Sequence, residues 1–248
     1  MTGPPRPRPL LAPRVIAIPV AFNEARAIGR VLERFQDLPG VDVAVVDDGS
    51  TDETAAVVRA RGVMRIAHSA QRGAGAAIRT AYAWAREHDY DVCVIMSGND
   101  KDRPAEIPLL LEPITKGEAD LVQGSRYLAG GSHCNMPRHR RLASQWVHPW
   151  LFSLAARQRM TDTTNGFRAL RLSVLDNRRI ALDQPWLDGY DLEPYLLFTA
   201  IRLGYVVREA PVSKTYPGSR QPYTKMRPIT DWWSIVRPVV MLGLGLRR

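Results

Sequence analysis

The chain has little cysteine, no paired histidines and none of several common hydrolase motifs, and each absence excludes a class of protein. Its 2 cysteines, Cys93 in an apolar segment and Cys134 in a polar one, are too few for a disulfide framework and predict a reducing compartment. The spacing of the histidines does not match a zinc site. The absence of a Gly-x-Ser-x-Gly elbow and of a Walker-type phosphate loop counts against serine hydrolases and P-loop enzymes.

Acidic residues are outnumbered by basic ones, with 25 Asp and Glu against 34 Lys and Arg and a formal net charge of +9. No helix-turn-helix, zinc-finger or RNA-recognition pattern accompanies this charge, so we expect no nucleic-acid partner. The basic residues collect near both termini, in Arg138–Arg141 and in Arg178-Arg179. Phosphate groups or an anionic membrane surface are the expected partners, and a merely solvated basic surface is the alternative.

Length and composition predict one large globular domain, because 248 residues that are 45% hydrophobic suffice for a full core. Residues 1–13 are rich in Pro and Arg and lack the pattern of a signal peptide, so we expect a disordered tail there and a cytoplasmic protein. Residues 14–215 are assigned to the globular domain. Residues 216–248 are assigned to a basic, tryptophan-containing C-terminal extension.

Apolar segments alternate with segments of helical spacing along the first half of the chain. Four of the apolar segments are typical of strands buried on both faces: Val15–Val20, Val43–Val46, Val63–His68 and Val92–Met96. This alternation predicts an α/β fold, with a mostly parallel, Rossmann-like sheet flanked by helices and a short C-terminal helical extension.

Polar residues follow these strands directly. Asp47 and Asp48 come at the end of the second strand, and ligands of open α/β sheets gather beyond the carboxyl ends of the strands. We therefore expect both aspartates at a binding edge. The alternative is that Asp48 only makes the turn while Ser50 and Glu53 form a capping box on the next helix.

Six short motifs occur in an order that resembles the family 2 glycosyltransferases, in particular their dolichol-phosphate (polyprenyl-phosphate) mannosyltransferase-like branch. They are Pro19-x-x-x-Asn23-Glu24, Val46-Asp-Asp-Gly-Ser-Thr-Asp52, Arg72-Gly-x-Gly75, Gly124-Ser-Arg-Tyr127, Asp162-x-Thr-Asn-Gly-Phe-Arg168 and Asp191-x-Glu193. Each motif alone is weak, and their shared order over roughly residues 14–228 carries the resemblance. It implies a GT-A fold, a nucleotide-sugar donor, a divalent metal and an inverting transfer.

The resemblance implies a donor site at the ends of the first strands. Its residues would be Pro19, Asn23, Glu24, Asp47, Asp48, Arg72, Gly73, Asn99 and Asp100. Carboxylates such as Glu24 and Asp48 accept hydrogen bonds from ribose hydroxyls or base N–H groups, and glycines before a helix let an anion approach its N-terminus. The alternatives are a first-turn carboxylate favoured by the helix dipole at Glu24 and a flexible turn at Arg72–Gly75.

The expected metal site departs from the family pattern, because Gly98-Asn99-Asp100 stands where the relatives carry Asp-x-Asp. Mg²⁺ often takes only one or two carboxylates together with substrate phosphates. The resemblance therefore implies a divalent cofactor, Mg²⁺ or Mn²⁺, held by Asp100 with help from Asp102 or Asn99. The alternative is that Lys101 and Arg103 neutralise part of the diphosphate and the metal binds weakly.

The resemblance assigns the chemistry to Arg126, Asp191 and Glu193. Arg126 would lie close to the sugar phosphate, or would simply pair with Asp162. Asp191 or Glu193 would orient or deprotonate a hydroxyl acceptor, whereas a phosphate acceptor is already ionised and needs no general base.

Cationic and amide side chains are expected to hold the acceptor or its phosphate: Arg138, Arg141, Asn165, Arg168, Lys225 and Arg227. Guanidinium groups bind phosphate oxygens in a bidentate manner, and we expect the Gly- and Arg-rich segment Gly130–Arg141 to be a mobile lid. The alternatives are a solvated basic loop at the arginines and an Asn-Gly turn at Asn165.

The C-terminal segment combines Trp232-Trp233 with an apolar stretch, residues 235–246, that Arg237 and Pro238 interrupt. It is too short to span a bilayer, which takes about 20 apolar residues. Tryptophans beside arginines favour a membrane interface, and the alternative is a helix packed on the core.

Together these observations predict an inverting enzyme that moves a hexose from a UDP- or GDP-sugar to a polyprenyl phosphate at the inner face of the cell membrane. One alternative acceptor is a soluble sugar or nucleoside intermediate. A second alternative is a nucleotide-sugar-binding protein that no longer transfers. A nucleotidyltransferase would need a Gly-rich loop after the first strand, and Ala21-Phe22-Asn23 is not one.

Overall fold

The computed structural model describes residues 4–216 and 230–246, and its centre is a seven-stranded sheet with helices on both faces. The strands are β1 (Val15–Ala21), β2 (Asp42–Asp47), β3 (Met64–Ala67), β4 (Val92–Ser97), β5 (Leu121–Ser125), β6 (Ser132–Cys134), β7 (Arg168–Arg171), β8 (Val207–Pro211) and β9 (Ser213–Thr215). The α-helices are α1 (Ala25–Glu33), α2 (Thr54–Ala60), α3 (Ala74–Glu87), α4 (Ile107–Thr115), α5 (Arg138–Leu142), α6 (His148–Ala156), α7 (Leu192–Leu203) and α8 (Thr230–Gly243). Short 3₁₀ turns lie at Pro104–Glu106, Leu172–Asp176 and Pro185–Leu187, and a π turn, Ala143–Val147, joins α5 to α6.

The sheet has the strand order β3-β2-β1-β4-β7-β5-β8. Strand β7 is antiparallel to β4 and β5, and the other pairs in this sheet are parallel. The predicted α/β architecture with a mostly parallel sheet is therefore confirmed. Strands β6 and β9 form a separate parallel pair beside it.

The two faces of the sheet are covered by different helices. Side chains alternate along a strand, so Ile16 and Ile18 enter the core under α3, α6 and α7, whereas Val15 and Ala17 enter the core under α1 and α4. Burial on both faces explains why the central strands are continuous apolar runs. Cys93 lies buried in β4 and Cys134 is exposed, and both are free thiols as predicted.

The strand order changes direction at β1, because the chain passes from β1 to β2 and β3 on one side and later to β4 on the other. Crevices at such switch points, beyond the carboxyl ends of the strands, are where α/β proteins bind ligands. The polar segments 22–24, 47–48 and 98–102 follow β1, β2 and β4 and meet at this edge.

The described part of the N-terminal tail, residues 4–13, contacts the globular domain, although we expected a disordered segment there. The backbone N–H of Leu10 donates to the carbonyl of Thr115 across 2.9 Å, and Arg171 donates to the carbonyl of Arg8 across 2.7 Å. Prolines favour an extended strand-like path, and here that path lies along the end of α4 and packs Leu10 on the core.

Helix α8 packs against α6 and α7, with Val239 buried and Trp233 about half exposed. Residues 230–243 thus form a helix packed on the core, which was the alternative to a segment in a membrane interface. Lys225 and Arg227 lie outside the described residues. Within the described ranges, no helix has the length and hydrophobicity that crossing a bilayer requires.

Candidate active site

Asp48, at the end of β2, ties the loop before α3 to the sheet. Its Oδ1 accepts hydrogen bonds from the backbone N–H of Arg72 (2.9 Å) and from His68 Nδ1 (2.7 Å), and its Oδ2 accepts from the N–H of Gly73 (2.9 Å). His68 Nε2 in turn lies 2.9 Å from Thr80 Oγ1. Asp48 therefore positions the 72–73 loop at the predicted donor edge, and the exposed Arg72 side chain emerges from that loop.

The ends of β1 and β2 are clamped together by Asn23 and Asp47. Asn23 adopts a left-handed backbone conformation (φ 51°), and its Oδ1 accepts from the N–H of Thr51 across 2.8 Å. Asp47 is buried and accepts from Ser50 N–H (2.9 Å) and from the Arg65 guanidinium (2.7 Å). The alternative capping box does not form, because α2 begins without a side-chain cap.

The glycines before α3 serve close packing rather than an open phosphate cradle. The N–H groups of Gly75 and Ala76 both donate to the carbonyl of Asp188, across 2.8 and 3.1 Å. A Cβ on Gly75 would lie 1.9 Å from the carbonyl oxygen of Leu187. The loop at Asp188 therefore takes up two of the N–H groups that were expected to face an anion, and the anion site stays a prediction.

Asp102, predicted as a metal ligand, is fully buried and engaged by the protein. Its Oδ1 accepts from Lys214 Nζ across 2.6 Å, and its Oδ2 accepts from the N–H of Ser97 across 3.0 Å. A buried carboxylate must be paired, and Lys214 is the partner of this one. The metal role of Asp102 stays a prediction.

Asp100 and Asn99 are the other two candidate oxygen ligands after β4. Asp100 has a left-handed backbone (φ 61°) and pairs with Arg30 at 2.9 Å and with Arg34, two arginines that are about half exposed. Asn99 Oδ1 is buried and has no hydrogen-bond partner among the described residues.

The described residues contain no cluster of three or more His, Cys, Asp or Glu side chains suited to a metal. A hard cation needs six or so oxygen ligands but accepts phosphate and water oxygens among them. Asp100 and Asn99 thus fit a cation that is held jointly with a diphosphate, with the exposed arginines as competitors for Asp100.

Cationic side chains converge at Lys101, which follows Asp100. Burial lowers the pKa of Lys101 to about 8, and the charges of Lys214 and Arg140 act in the same direction, against Glu24 and Asp102. Charged groups from four segments of the chain thus lie near enough to Lys101 to act on its pKa. Such a cluster is suited to an anion such as a diphosphate.

Tyr216 lies between two of these cations. Its ring centroid is 5.6 Å from Lys101 Nζ and 5.4 Å from the Arg140 guanidinium. The sequence motifs did not identify Lys214, Tyr216 or Arg140 as site residues. Only Arg140 lies within a segment that the sequence marked, the basic run Arg138–Arg141.

Arg126 pairs with Asp162 in the interior, and this outcome confirms the structural alternative. Its Nε donates to Asp162 Oδ2 (2.6 Å), its Nη2 to Asp162 Oδ1 (2.8 Å) and its Nη1 to Tyr216 Oη (2.6 Å). With its side chain buried and most of its N–H groups engaged, Arg126 holds Tyr216 in place. Arg126 thus positions Tyr216 in this structure, and its catalytic role stays a prediction.

Asn165 and Arg168, predicted to bind acceptor groups, are also buried and engaged. Asn165 Nδ2 donates to the carbonyl of Gly124 (3.1 Å), and its Oδ1 accepts from Lys214 Nζ (2.9 Å). Arg168 donates to the carbonyl of Asn165 (2.8 Å) and to Glu193 Oε1 (3.0 Å). These contacts join β5, β7 and α7, and the acceptor role of both residues stays a prediction.

The two candidate bases at the start of α7 are paired with arginines. Asp191 Oδ1 accepts from Arg237 Nε of α8 across 2.9 Å, and Glu193 pairs with Arg168. Burial raises the pKa of Asp191, while the hydrogen bond and charge of Arg237 oppose that shift. Asp191 is buried, and its partner Arg237 belongs to α8.

Three further residues of the predicted site are Pro19, Arg138 and Arg141. Pro19 is in β1, opposite Met96 of β4. Arg138 and Arg141 are exposed and lie on α5. The segment 130–141, which we expected to be a mobile lid, contains β6 and the start of α5. The acceptor role of Arg138 and Arg141 stays a prediction.

The fold is shared with solved glycosyltransferase structures. Glucosyl-3-phosphoglycerate synthase from Mycobacterium tuberculosis, in complex with Mn²⁺, UDP-glucose and phosphoglyceric acid, superposes with a TM-score of 0.69 at 20% identity over 95% of this chain and 81% of that one. Its complex with Mn²⁺, UDP and glucosyl-3-phosphoglycerate gives 0.68 at 21% identity, covering 95% and 81%. At this level of identity the likeness shows a shared fold, and that fold is the GT-A fold.

Sequence comparison gives the family. Residues 16–178 match the profile of glycosyl transferase family 2, and the chain belongs to this family. It is 34% identical to an undecaprenyl-phosphate mannosyltransferase of Micrococcus luteus over 206 residues, covering 81% of this chain and 83% of the relative. It is 31% identical to a polyprenol monophosphomannose synthase of Mycolicibacterium smegmatis over 209 residues, covering 82% and 77%.

Proposed function

We propose that this glycosyltransferase moves a hexose, with mannose from GDP-mannose the first to test, from a nucleotide diphosphate sugar to a polyprenyl phosphate. The observation that carries the phosphate acceptor is that both candidate bases are paired with arginines, Asp191 with Arg237 and Glu193 with Arg168. A hydroxyl acceptor needs a base within reach of its proton, whereas a phosphate monoester is ionised at neutral pH. The names of the relatives from Micrococcus luteus and Mycolicibacterium smegmatis support both the sugar and the acceptor.

The donor would lie across the ends of β1, β2 and β4. The 72–73 loop held by Asp48 and the backbone near Asn23 would contact the base and ribose, and the diphosphate would lie against Lys101 and Arg140. These cations would stabilise the charge that grows on the departing diphosphate. A divalent cation held by Asp100 and Asn99 together with the phosphates would supply further neutralisation.

The reaction proposed is a direct displacement. An oxygen of the acceptor phosphate forms a bond to the anomeric carbon while the bond from that carbon to the diphosphate oxygen breaks. The products are a hexosyl-phosphate-polyprenol with inverted anomeric configuration and a nucleoside diphosphate. No proton is taken from the acceptor, so the step is compatible with the engaged Asp191 and Glu193.

The test is a transfer assay with purified full-length chain and labelled GDP-mannose, UDP-glucose and UDP-N-acetylglucosamine, with Mg²⁺, Mn²⁺ or EDTA. Each donor is offered polyprenyl phosphate, the matching polyprenol, or a free sugar. We expect label in the lipid product with one donor and only with the phosphorylated lipid, and an inverted anomeric carbon by NMR. Equal transfer to polyprenol or to the free sugar contradicts the proposal, and tight nucleotide binding without any transfer indicates the binding-protein alternative.

A further inference from the structure

The segment from α5 to α6 carries an apolar stripe that faces solvent. It consists of Leu142, Trp146, Val147, Trp150, Leu151 and Leu154, whose exposed fractions lie between 36% and 68%. The opposite face of the same segment packs on the core through His148, Phe152 and Ala156. Large contiguous apolar surfaces of this kind mark interaction sites. We call these six residues the 142–154 stripe.

The spacing of the stripe is set by the π turn. Leu142, Trp146, Trp150 and Leu154 recur every four residues, which in an α-helix of about 3.6 residues per turn drifts around the axis. The π turn Ala143–Val147 has more residues per turn and reduces this drift between the first two members. The irregular turn therefore helps to keep the two tryptophans on one side.

The charge around the stripe is of one sign. The sequence has no Asp or Glu between Asp120 and Asp162, and arginines lie at both ends of the helical segment. Arg138, Arg141, Arg157 and Arg159 are exposed. This pattern complements an anionic surface, and tryptophans together with arginines and leucines are typical of helices in a membrane interface.

The stripe begins beside the candidate active site. Ser144, in the π turn, has its Oγ 2.6 Å from Tyr127 Oη, and Arg140, one turn earlier, stacks over the ring of Tyr216. Helix α8 packs against α6 where Gly243 faces Ala155. Trp233 of α8 and Leu244, which directly follows the helix, are exposed. A surface that holds the stripe would thus lie next to the cations that surround Lys101.

We propose that the 142–154 stripe docks on an anionic phospholipid bilayer and holds the active site over the phosphate headgroups of lipid acceptors. This placement rests on the proposed function for the acceptor, but the docking itself does not. Docking through the stripe places the main membrane contact in the middle of the chain, whereas the sequence suggested the C-terminal tryptophans. The tryptophan and leucine side chains enter the interface, and the flanking arginines contact anionic headgroups.

The test is flotation of the full-length chain with vesicles that contain no polyprenyl phosphate. The vesicles are either pure phosphatidylcholine or an equimolar mixture with phosphatidylglycerol. The variants are Trp146→Ala/Trp150→Ala and, as a control of matched exposure on β3, Met64→Ala. Circular dichroism and the melting temperature confirm that each variant is folded, and light scattering reports the oligomeric state.

We expect the unmodified chain and Met64→Ala to float with anionic vesicles and much less with phosphatidylcholine, and the tryptophan double variant to lose at least about tenfold in partition. A folded double variant that floats like the unmodified chain overturns the proposal. So does an unmodified chain that stays in solution, including one that forms a dimer which the double variant abolishes, because the stripe would then bind a second copy. Vesicle binding without transfer to polyprenyl phosphate would refute the proposed function and leave the docking intact.

Discussion

Lys214 Nζ donates a 2.6 Å hydrogen bond to Asp102 Oδ1, and both side chains are buried. Lys214 also donates to Asn165 Oδ1 across 2.9 Å, so one ammonium joins β9, the turn after β4 and the turn before β7. Both groups also act on the pKa of Lys101, because the charge of Lys214 lowers it and the charge of Asp102 raises it. Asp102, which the sequence predicted as a metal ligand, thus helps to hold these three segments together.

Removing one partner of this pair is expected to destabilise the fold strongly, because the other charge is left buried. Asp102→Ala should lower the free energy of unfolding by about 3–5 kcal/mol, measured by urea denaturation. The control is Asp176→Ala, which removes an exposed pair with Arg86 and should cost under about 1 kcal/mol. An Asp102→Ala loss as small as that of the control would contradict the burial of the pair.

The close contact of α3 with the loop at Leu187 predicts that Gly75 tolerates no side chain. Gly75→Ala places a Cβ 1.9 Å from the Leu187 carbonyl oxygen and 2.5 Å from that of Gly189. We expect a loss of about 3 kcal/mol by urea denaturation, the upper range for overpacking. Gly29→Ala in α1 is the control, since its Cβ meets a Val57 methyl at 3.3 Å and alanine favours helix. Equal effects of the two substitutions would refute the packing role.

The lowered pKa of Lys101 predicts that nucleotide binding depends on pH. In the free protein Lys101 is cationic below pH of about 8 and neutral above it, and a diphosphate prefers the cation. The affinity for GDP or UDP, measured by calorimetry, should therefore fall as pH rises above 8, by up to about tenfold per unit for one coupled proton. Lys101→Ala should flatten this profile, and Lys101→Arg should keep the affinity high to higher pH.

The lowered pKa of Lys101 also affects the free energy of unfolding, which should rise with pH where the nucleotide affinity falls. Because the folded pKa lies below the ordinary lysine value of 10.5, the unfolded chain binds more protons between pH 8 and 10.5. This group alone should make the unliganded protein more stable as pH rises through that window.

A nucleotide affinity that does not change between about pH 7 and 9 would exclude Lys101 from the diphosphate site.

A phosphate acceptor predicts a small catalytic role for Glu193. Glu193→Gln should lower kcat/KM by less than about tenfold, whereas loss of a true general base costs about 100-fold to 10,000-fold. The measurement is a steady-state assay with saturating donor, at temperatures where calorimetry shows the variant folded. A large loss in kcat with unchanged stability would instead favour a hydroxyl acceptor and restore the role that the sequence assigned.

Asp100 is expected to bind the cation once a nucleotide is present. Asp100→Asn should weaken Mn²⁺ binding to the complex with GDP or UDP by at least about tenfold, read by calorimetry. Replacing the competing arginines, Arg30→Ala/Arg34→Ala, should strengthen it, because they pair with the same carboxylate. Asp176→Asn is the distant control. Unchanged Mn²⁺ affinity in Asp100→Asn would remove Asp100 from the metal site.

The sequence predicted the elements better than the contacts. Apolar runs such as Val92–Met96 identified the strands because burial on both faces leaves a signal in consecutive residues. The position of Asp47, Asp48 and Asp100 at one edge also followed, since parallel strands bring their carboxyl ends together. The Gly-x-Gly pattern before α3 predicted an anion site at the start of that helix. A local pattern does not show that the first N–H groups of α3 donate to the carbonyl of the distant Asp188.

What the sequence by itself determined was therefore the α/β architecture, the edge at which polar groups collect, and membership in the family. What only the tertiary structure decided was the partner of each charge. Asp102 meets Lys214 across 112 positions and Asp191 meets Arg237 across 46, and no periodic pattern relates such residues. The same holds for the 142–154 stripe, because apolar residues recur on both faces of that helix and only packing shows which face the core covers. Periodicity records burial within one element, whereas ion pairing and exposed faces depend on how elements meet.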